Sequence, residues 1–296
     1  MDYYISKPDS LNYLKLPSAF DFDLVDQDLG FSKIFEFFPK EVYLSLNNGI
    51  NPIAKTIFEQ LTKAAVHYAF VFSLPRIKVQ ITNFGIQEFT QEKMKSSSWW
   101  DVRDLGISLV KIADKLVSDS LSTAFSIEGV KSELPFFQNV SDIISTPAEF
   151  QSIYSINHSP EVFVMLQQLI EQSLETKIKR ILNDDCVELV KQNPKLLLYL
   201  KKALAYYSLS DAAKLRSFTF LQNAVAIQYE ELPWQKSIIL SDLERSKLGH
   251  RFCDLGDENL KIITDFIKKN SAEFPCYSEP IPPMQMRSAG FGISLF

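Results

Sequence analysis

The stretch Leu61-Thr62-Lys63-Ala64-Ala65-Val66-His67-Tyr68 recurs as Leu200-Lys201-Lys202-Ala203-Leu204-Ala205-Tyr206-Tyr207, each residue 139 positions after its counterpart. Each copy lies in a run that is apolar nearly all round, 57–74 and 196–215, the pattern of a helix buried on every side. Other matches fall on either side in the same order. Pro8-Asp9-Ser10-Leu11 and Leu14 precede Pro147-Ala148-Glu149-Phe150 and Ile153 by 139 residues. Asn83 precedes Asn223 by 140, Ile86-Gln87 precede Ile227-Gln228 by 141, and Glu133-Leu134-Pro135 precede Glu273-Phe274-Pro275 by 140. Ordered matches near one offset are the mark of an internal duplication. The chain divides into unit 1 at 1–139, unit 2 at 140–279, and a C-terminal segment 280–296 outside the repeat.

Each unit has the same grammar. It opens with a short helix; in unit 2, Thr146-Pro147-Ala148-Glu149 supplies an N-cap, Pro at the first helical position and Glu at the third. A second start at Ser159-Pro160-Glu161 leads into Val162, Leu166, Leu169, Ile170, Leu174, Ile178 and Ile181, spaced by threes and fours as in an amphipathic helix. Unit 1 answers with a less regular stretch over 24–38. After each central helix the period changes. Ile77, Val79 and Ile81 alternate with Lys78 and Gln80, and Asn83-Phe84-Gly85 leads into Ile86-Gln87-Glu88-Phe89, a β-hairpin signal. Unit 2 repeats it as Phe218-Thr219-Phe220-Leu221 and Ala226-Ile227-Gln228-Tyr229, without the glycine. A long helix closes each unit, 99–125 and 239–269, with a break expected in the second near Gly256-Asp257. Trp99-Trp100 and Trp234 stand at these openings. The expected fold is mainly α with a β-hairpin per unit: two tandem copies of one helical α+β unit and an extended C-terminal arm.

Composition narrows function more than it assigns it. Lys and Arg number 31 against 36 Asp and Glu, a net charge of −5, which argues against affinity gained by neutralising phosphates or anionic lipid. No apolar run approaches a membrane span, and Met1-Asp2-Tyr3-Tyr4 lacks the pattern of a signal peptide. Cys186, Cys253 and Cys276 are odd in number with no C-x-x-C, so neither a disulfide framework nor a zinc knuckle is indicated and a reduced, cytosolic setting is expected. His67, His158 and His250 are far apart in sequence with no H-E-x-x-H. His67 lies in the apolar run and reads as a packed core histidine; His158 sits in a turn before a helix. There is no P-loop, no G-x-G-x-x-G after a strand and no G-x-S-x-G, and 9 glycines leave little for a phosphate cradle. Asp184-Asp185 and Asp254 with Asp257-Glu258 lack calcium-loop spacing and read as solvated loops or helix starts. No catalytic, cofactor or metal residue is expected. The polar residues shared by both copies are Lys63/Lys202, Asn83/Asn223 and Gln87/Gln228, so the duplication repeats a scaffold.

The segment 280–296 stands apart, with three prolines, two glycines and a single charged side chain, Arg287. Solvated tails are polar and charged, and prolines keep the start of this one out of a helix. Two readings stay open: a tail packed on its own unit, or an arm inserted into another subunit as an added strand or groove filler. The second is the expectation, with Pro282, Pro283, Met284, Met286, Phe291, Ile293, Leu295 and Phe296 as the partner-binding residues.

The junction Glu133-Leu134-Pro135-Phe136-Phe137, then Ile143-Ile144-Ser145-Thr146-Pro147-Ala148-Glu149-Phe150, then Ile156-Asn157-His158-Ser159-Pro160-Glu161-Val162-Phe163, and the helix carrying Lys202-Ala203-Leu204-Ala205-Tyr206, together resemble a duplicated family of unknown function from tailed phages and prophages of Bacteroidetes. Its members lie near portal and capsid genes. The resemblance covers both units and not the tail. The familiar form has an arginine pair before the Phe163-like position; Ser159-Pro160-Glu161 stands here instead, the mark of a divergent member. The resemblance implies a virion structural protein, assembled in the host cytoplasm. A looser fold analogy with head–tail adaptors adds a ring beneath the portal, hooked by a C-terminal extension. The expected function is therefore a head–tail connector acting by assembly without turnover. Its partners are itself in a ring and a portal or neighbouring neck or tail protein, with DNA passing non-specifically and no membrane. The rival readings are a tail-completion or baseplate subunit of a contractile injection machine, and an enzyme or small-molecule binder in the groove between the repeats.

Overall fold

The computed structural model describes residues 3–48, 51–82, 85–88, 99–221, 224–227 and 240–277. The chain is mainly helical. The first half runs through α1 (Lys7–Leu14), α2 (Gln27–Phe35), α3 (Lys40–Asn48) and the long α4 (Pro52–Lys78), then strands β1 (Val79–Thr82) and β2 (Gly85–Glu88), then α5 (Trp99–Phe125) and the short α6 (Glu128–Glu133). The second half follows with α7 (Pro147–Ile153), α8 (Pro160–Ser173), α9 (Asp184–Gln192), α10 (Pro194–Ala212), β3 (Phe218–Leu221), β4 (Ala224–Ile227) and α11 (Asp242–Lys269). Strand is a minor component: β1 pairs antiparallel with β2 from Val79↔Glu88 to Thr82↔Gly85, and β3 with β4 from Phe218↔Ile227 to Leu221↔Ala224. Asn83 and Asn223, at the expected turns, lie outside the described residues, as does Trp234.

Local chemistry explains where the helices begin. Thr146 accepts from the Glu149 N–H while the Glu149 carboxylate accepts from the Ser145 N–H, and Pro147 occupies the first turn of α7. Ser159 caps α8 and Asn183 caps α9 in the same way. Ser241 and Glu244 form a full capping box on α11. Several boundaries differ from expectation. Helix α4 carries on past Leu74, through Pro75, to Lys78, so Ile77 is helical and the strand starts only at Val79. Helix α10 stops at Ala212, because buried Arg245 donates to the carbonyls of Ala213, Leu215 and Phe218 just beyond its end. The run beyond Ser173 widens into a π turn at Leu174–Ile178, so the amphipathic stretch is not one helix. Helix α11 is unbroken at Gly256. That glycine is there for contact: a Cβ would sit 2.6 Å from the Tyr207 ring.

Equivalent positions are buried in both halves, and they fix the repeat register better than the sequence does. Ile57, Leu61, Ala64, Ala65 and Tyr68 on α4 and their counterparts 139 residues on, Leu196, Leu200, Ala203, Leu204 and Tyr207 on α10, are all core. Ile34, Phe38, Val42, Tyr43 and Leu46 answer Ile178, Leu182, Cys186, Val187 and Val190 at an offset of 144. Helices α5 and α11 answer at 143: Val117 with Leu260, Ala124 with Ile267. Gly106 faces Val71 and Leu74 on α4, and Gly249 faces their counterparts at 139, Ser210 on α10 and Ala213 just past its end. The strand ladders stay at 139, so Ile86 answers Val225. This corrects the pairing of Ile86 with Ile227; the step in register falls between the strands and the last helix.

The cysteine reading is also corrected. Cys186 on α9 and Cys276 beyond α11 form a disulfide across 90 residues, with Cα atoms 5.5 Å apart, and Cys253 is the free thiol. Their counterparts in unit 1, Val42 and Phe136, are apolar: Val42 lies in the unit 1 core and Phe136 packs against it. No spacing motif announces such a disulfide. Among the described residues no helix is long and apolar enough to cross a membrane.

Candidate functional site

Two polar arrangements emerge, one buried and duplicated, the other open and present in unit 1. In the first, Tyr68 on α4 donates to Asp114 on α5 at 2.5 Å, and Tyr207 on α10 donates to Asp257 on α11 at 2.6 Å. Each pair ties the central helix of its unit to the last. A lysine from the preceding layer attends both. Lys177 lies 4.8 Å from the centre of the Tyr207 ring and pairs with Asp211 at 3.1 Å. Lys33 pairs with Glu36 at 2.7 Å and with Glu161 of unit 2 at 3.1 Å. Its own pKa stays raised because these ion pairs outweigh the pull of burial. Burial pushes the Asp114 carboxyl up to about 7, against the Tyr68 hydrogen bond and Lys33. Burial and Asp257 together push the Tyr207 phenol far up. Both tyrosine–aspartate pairs tie the central helix to the last one and serve as latches between helices.

The second arrangement is built by the N-terminal segment. The Ile5 N–H donates to Gln27 Oε1 at 2.8 Å and the Gln27 amide donates back to the Ile5 carbonyl at 3.0 Å, so one side chain imitates a strand partner. Tyr3 and Tyr4 both donate to Asp28, at 2.8 and 2.9 Å; that hydrogen bond pushes the Tyr3 phenol up to about 12. The strap so held forms one wall of a groove of about 420 Å³, with Tyr13, Tyr43, Leu44, Asn47, Asn48 and Phe58 among its lining. Tyr4 also lines an adjoining pocket of about 440 Å³ with Asp23, Asp26, Asp28 and Arg76. Arg76 pairs with Asp26 at 3.1 Å.

The expected partner-binding residues, Pro282, Pro283, Met284, Met286, Phe291, Ile293, Leu295 and Phe296, lie outside the described residues. The histidines occupy separate elements. His67 is buried on α4, its Nδ1 2.7 Å from the Lys63 carbonyl and its pKa lowered by burial. His158 follows Asn157 in a pair of positive-φ residues between α7 and α8, and His250 is exposed on α11. Among the described residues no cluster of three or more His, Cys, Asp or Glu is placed to hold a metal. The tyrosine–aspartate latches were missed from sequence because Tyr68/Tyr207 repeat at 139 while Asp114/Asp257 repeat at 143. The recurrence of Gly106 and Gly249 at that same 143 was the available signal.

Taken together, these contacts define a mainly helical protein whose two halves reuse one set of buried positions. The model of a family described as a family of unknown function (DUF6712) matches residues 29–121 and 166–283, and the chain belongs to that family. The two matched regions are the duplication seen from outside the chain. No curated protein and no solved structure matches it.

Proposed function

We propose that this protein is a structural component of a phage particle, a head–tail connector that works by assembly and catalyses no reaction. The observation that carries the reading is the sequence of 280–296: apolar, proline-rich and almost uncharged, it is chemically suited to burial against a partner and unsuited to solvation. In this reading each unit, 1–139 and 140–279, is a helical body with a β-hairpin, and the arm joins one copy to a portal, a neck or tail protein, or the next copy in a ring. Head-to-tail contacts of this heterologous kind close into rings, and a net charge of −5 suits a channel that repels passing DNA. The duplicated polar pairs fit the same picture, since they brace helices and present no reactive group. Assembly takes place in the host cytoplasm, ending in the virion.

The test is deletion of 281–296. The truncated protein is expected to fold with an unchanged melting temperature and to be lost from particles. Truncation that unfolds the protein would place the tail in its own core. Normal incorporation would remove the main support for a connector. A baseplate or tail-completion role is separated by the partner captured: a portal ring in one case, sheath or spike proteins in the other.

A further inference from the structure

We propose that the groove beside the N-terminal strap of unit 1 is the docking site for residues 280–287 of a second copy of this chain. The inference rests on the connector reading for its biological setting, and on the groove and the sequence for its chemistry.

The two units treat the same place differently. In unit 2, Lys191 is paired with Asp142 and, at 2.8 Å, with Glu188, and Lys201 is paired with Glu149 at 2.7 Å. At the registers established above, Lys191 answers Asn47, Asp142 answers Tyr3 and Lys201 answers Thr62. In unit 1, where these lysines are replaced by Asn47 and Thr62, the same place is an opening of about 420 Å³ walled by tyrosine and phenylalanine, with Asp9 and the amides of Asn47 and Asn48 also in its lining. Aromatic walls with a few amide and hydroxyl groups suit a proline-rich strand. The prolines present flat apolar rings at little entropic cost, and their carbonyls need donors because their own nitrogens supply none. Asn47 and Asn48 are such donors.

The chain carries the matching ligand. Pro280-Ile281-Pro282-Pro283-Met284-Gln285-Met286-Arg287 has prolines spaced for an extended helix, two flexible thioethers and one cation. Tyr4 is shared with the pocket holding Asp23, Asp26 and Asp28, where Arg76 is the single cation among the described lining residues against three carboxylates. Arg287 supplies the charge that pocket lacks, which sets the polarity of the strand: prolines on the aromatic wall, arginine at the acidic end. A second copy is favoured as the source because the arm is rooted in unit 2. Cys276 is bonded to α9, and its carbonyl accepts from Asn183 at 2.8 Å. Unit 1 meets unit 2 through α5, Lys33 and Phe136, and none of these lines the groove.

The experiment uses the full chain with Met284 replaced by a photo-crosslinking phenylalanine analogue, mixed from isotopically heavy and light preparations. Crosslinked peptides should join position 284 to residues 3–13 or 43–62 and pair heavy with light chains. Asn47→Lys, an exposed change that installs the unit 2 residue, should cut the yield at least tenfold with an unchanged melting temperature. Heavy–heavy and light–light pairs alone would mean that each arm fills its own groove. Crosslinks to another surface, none even at the highest soluble concentration, or indifference to Asn47→Lys would each overturn the proposal. The tail deletion above separates this failure from that of the connector reading. Lost incorporation with crosslinks elsewhere sinks the groove alone, and normal incorporation with crosslinks in the groove sinks the connector alone.

Discussion

At Asp114 the cost of burial outweighs everything that favours its charge. Tyr68 donates to it and Lys33 attracts it, yet desolvation, with Glu161 adding to it, carries the carboxyl up to about 7. An acid raised above its unfolded value is favoured in its neutral form by the fold. Its contribution to stability is therefore complete below about pH 4 and is lost as the pH rises through about 7. Asp114→Asn keeps the shape and stays neutral throughout. Relative to the wild type it should gain stability steadily from pH 4 to 8 in urea titrations, by at most about 4 kcal/mol. A constant difference across that range would show that Asp114 titrates as an exposed carboxyl does. Little of this was legible beforehand. Asp114 looks in sequence like any acidic residue on the outer face of an amphipathic helix, and only the tyrosine four turns into another helix, with unit 2 lying over it, makes it exceptional.

Elements were legible where the signal is local and illegible where it depends on the partner. The N-caps at Thr146 and Ser159 and the two central helices followed from residues within a turn of each other. The end of α10 did not, because it is set by Arg245, about thirty residues on, reaching back to the carbonyls of Ala213, Leu215 and Phe218 just past it. Nor did the unbroken course of α11, because Gly256 answers the Tyr207 ring and not a turn. The disulfide between α9 and the segment after α11 is the plainest case, since two cysteines 90 residues apart carry no pattern. Closing so long a loop restricts the unfolded chain and is worth about 4–5 kcal/mol in the chain-entropy account. Reductant should therefore lower the melting temperature of the wild type by several degrees. The Cys186→Val/Cys276→Val variant, which makes both positions apolar as Val42 and Phe136 are in unit 1, should melt identically with and without reductant. A wild type indifferent to reductant would mean that the bond adds nothing to the packing around it.

Over the whole molecule the duplication was legible because core positions constrain sequence, while the junction between the copies was not, because it uses different residues on its two sides. Unit 2 buries one continuous cluster from Ile143 to Phe274. Unit 1 divides its core in two, one part around Phe22, Phe70 and Leu109, the other around Phe31, Leu61 and Leu134. Phe136 packs against both main cores, with its ring 6.1 Å from that of Phe163, and Lys33 reaches Glu161 across the same boundary. Helix α5 also meets α7 and α8 there. The cover is mutual, but unit 2 has a single stapled core of its own while the core of unit 1 is split in two. The intact chain should unfold in one calorimetric transition. Fragment 140–279 should keep its near-ultraviolet circular dichroism and melt cooperatively, while fragment 1–139 should lose both. Removing unit 2 uncovers Phe136 and one face of α5, and it strands Asp114 and Lys33 without the surface that shields them. If 1–139 instead folds cooperatively by itself, the boundary is a tether between independent bodies and the contacts across it contribute little.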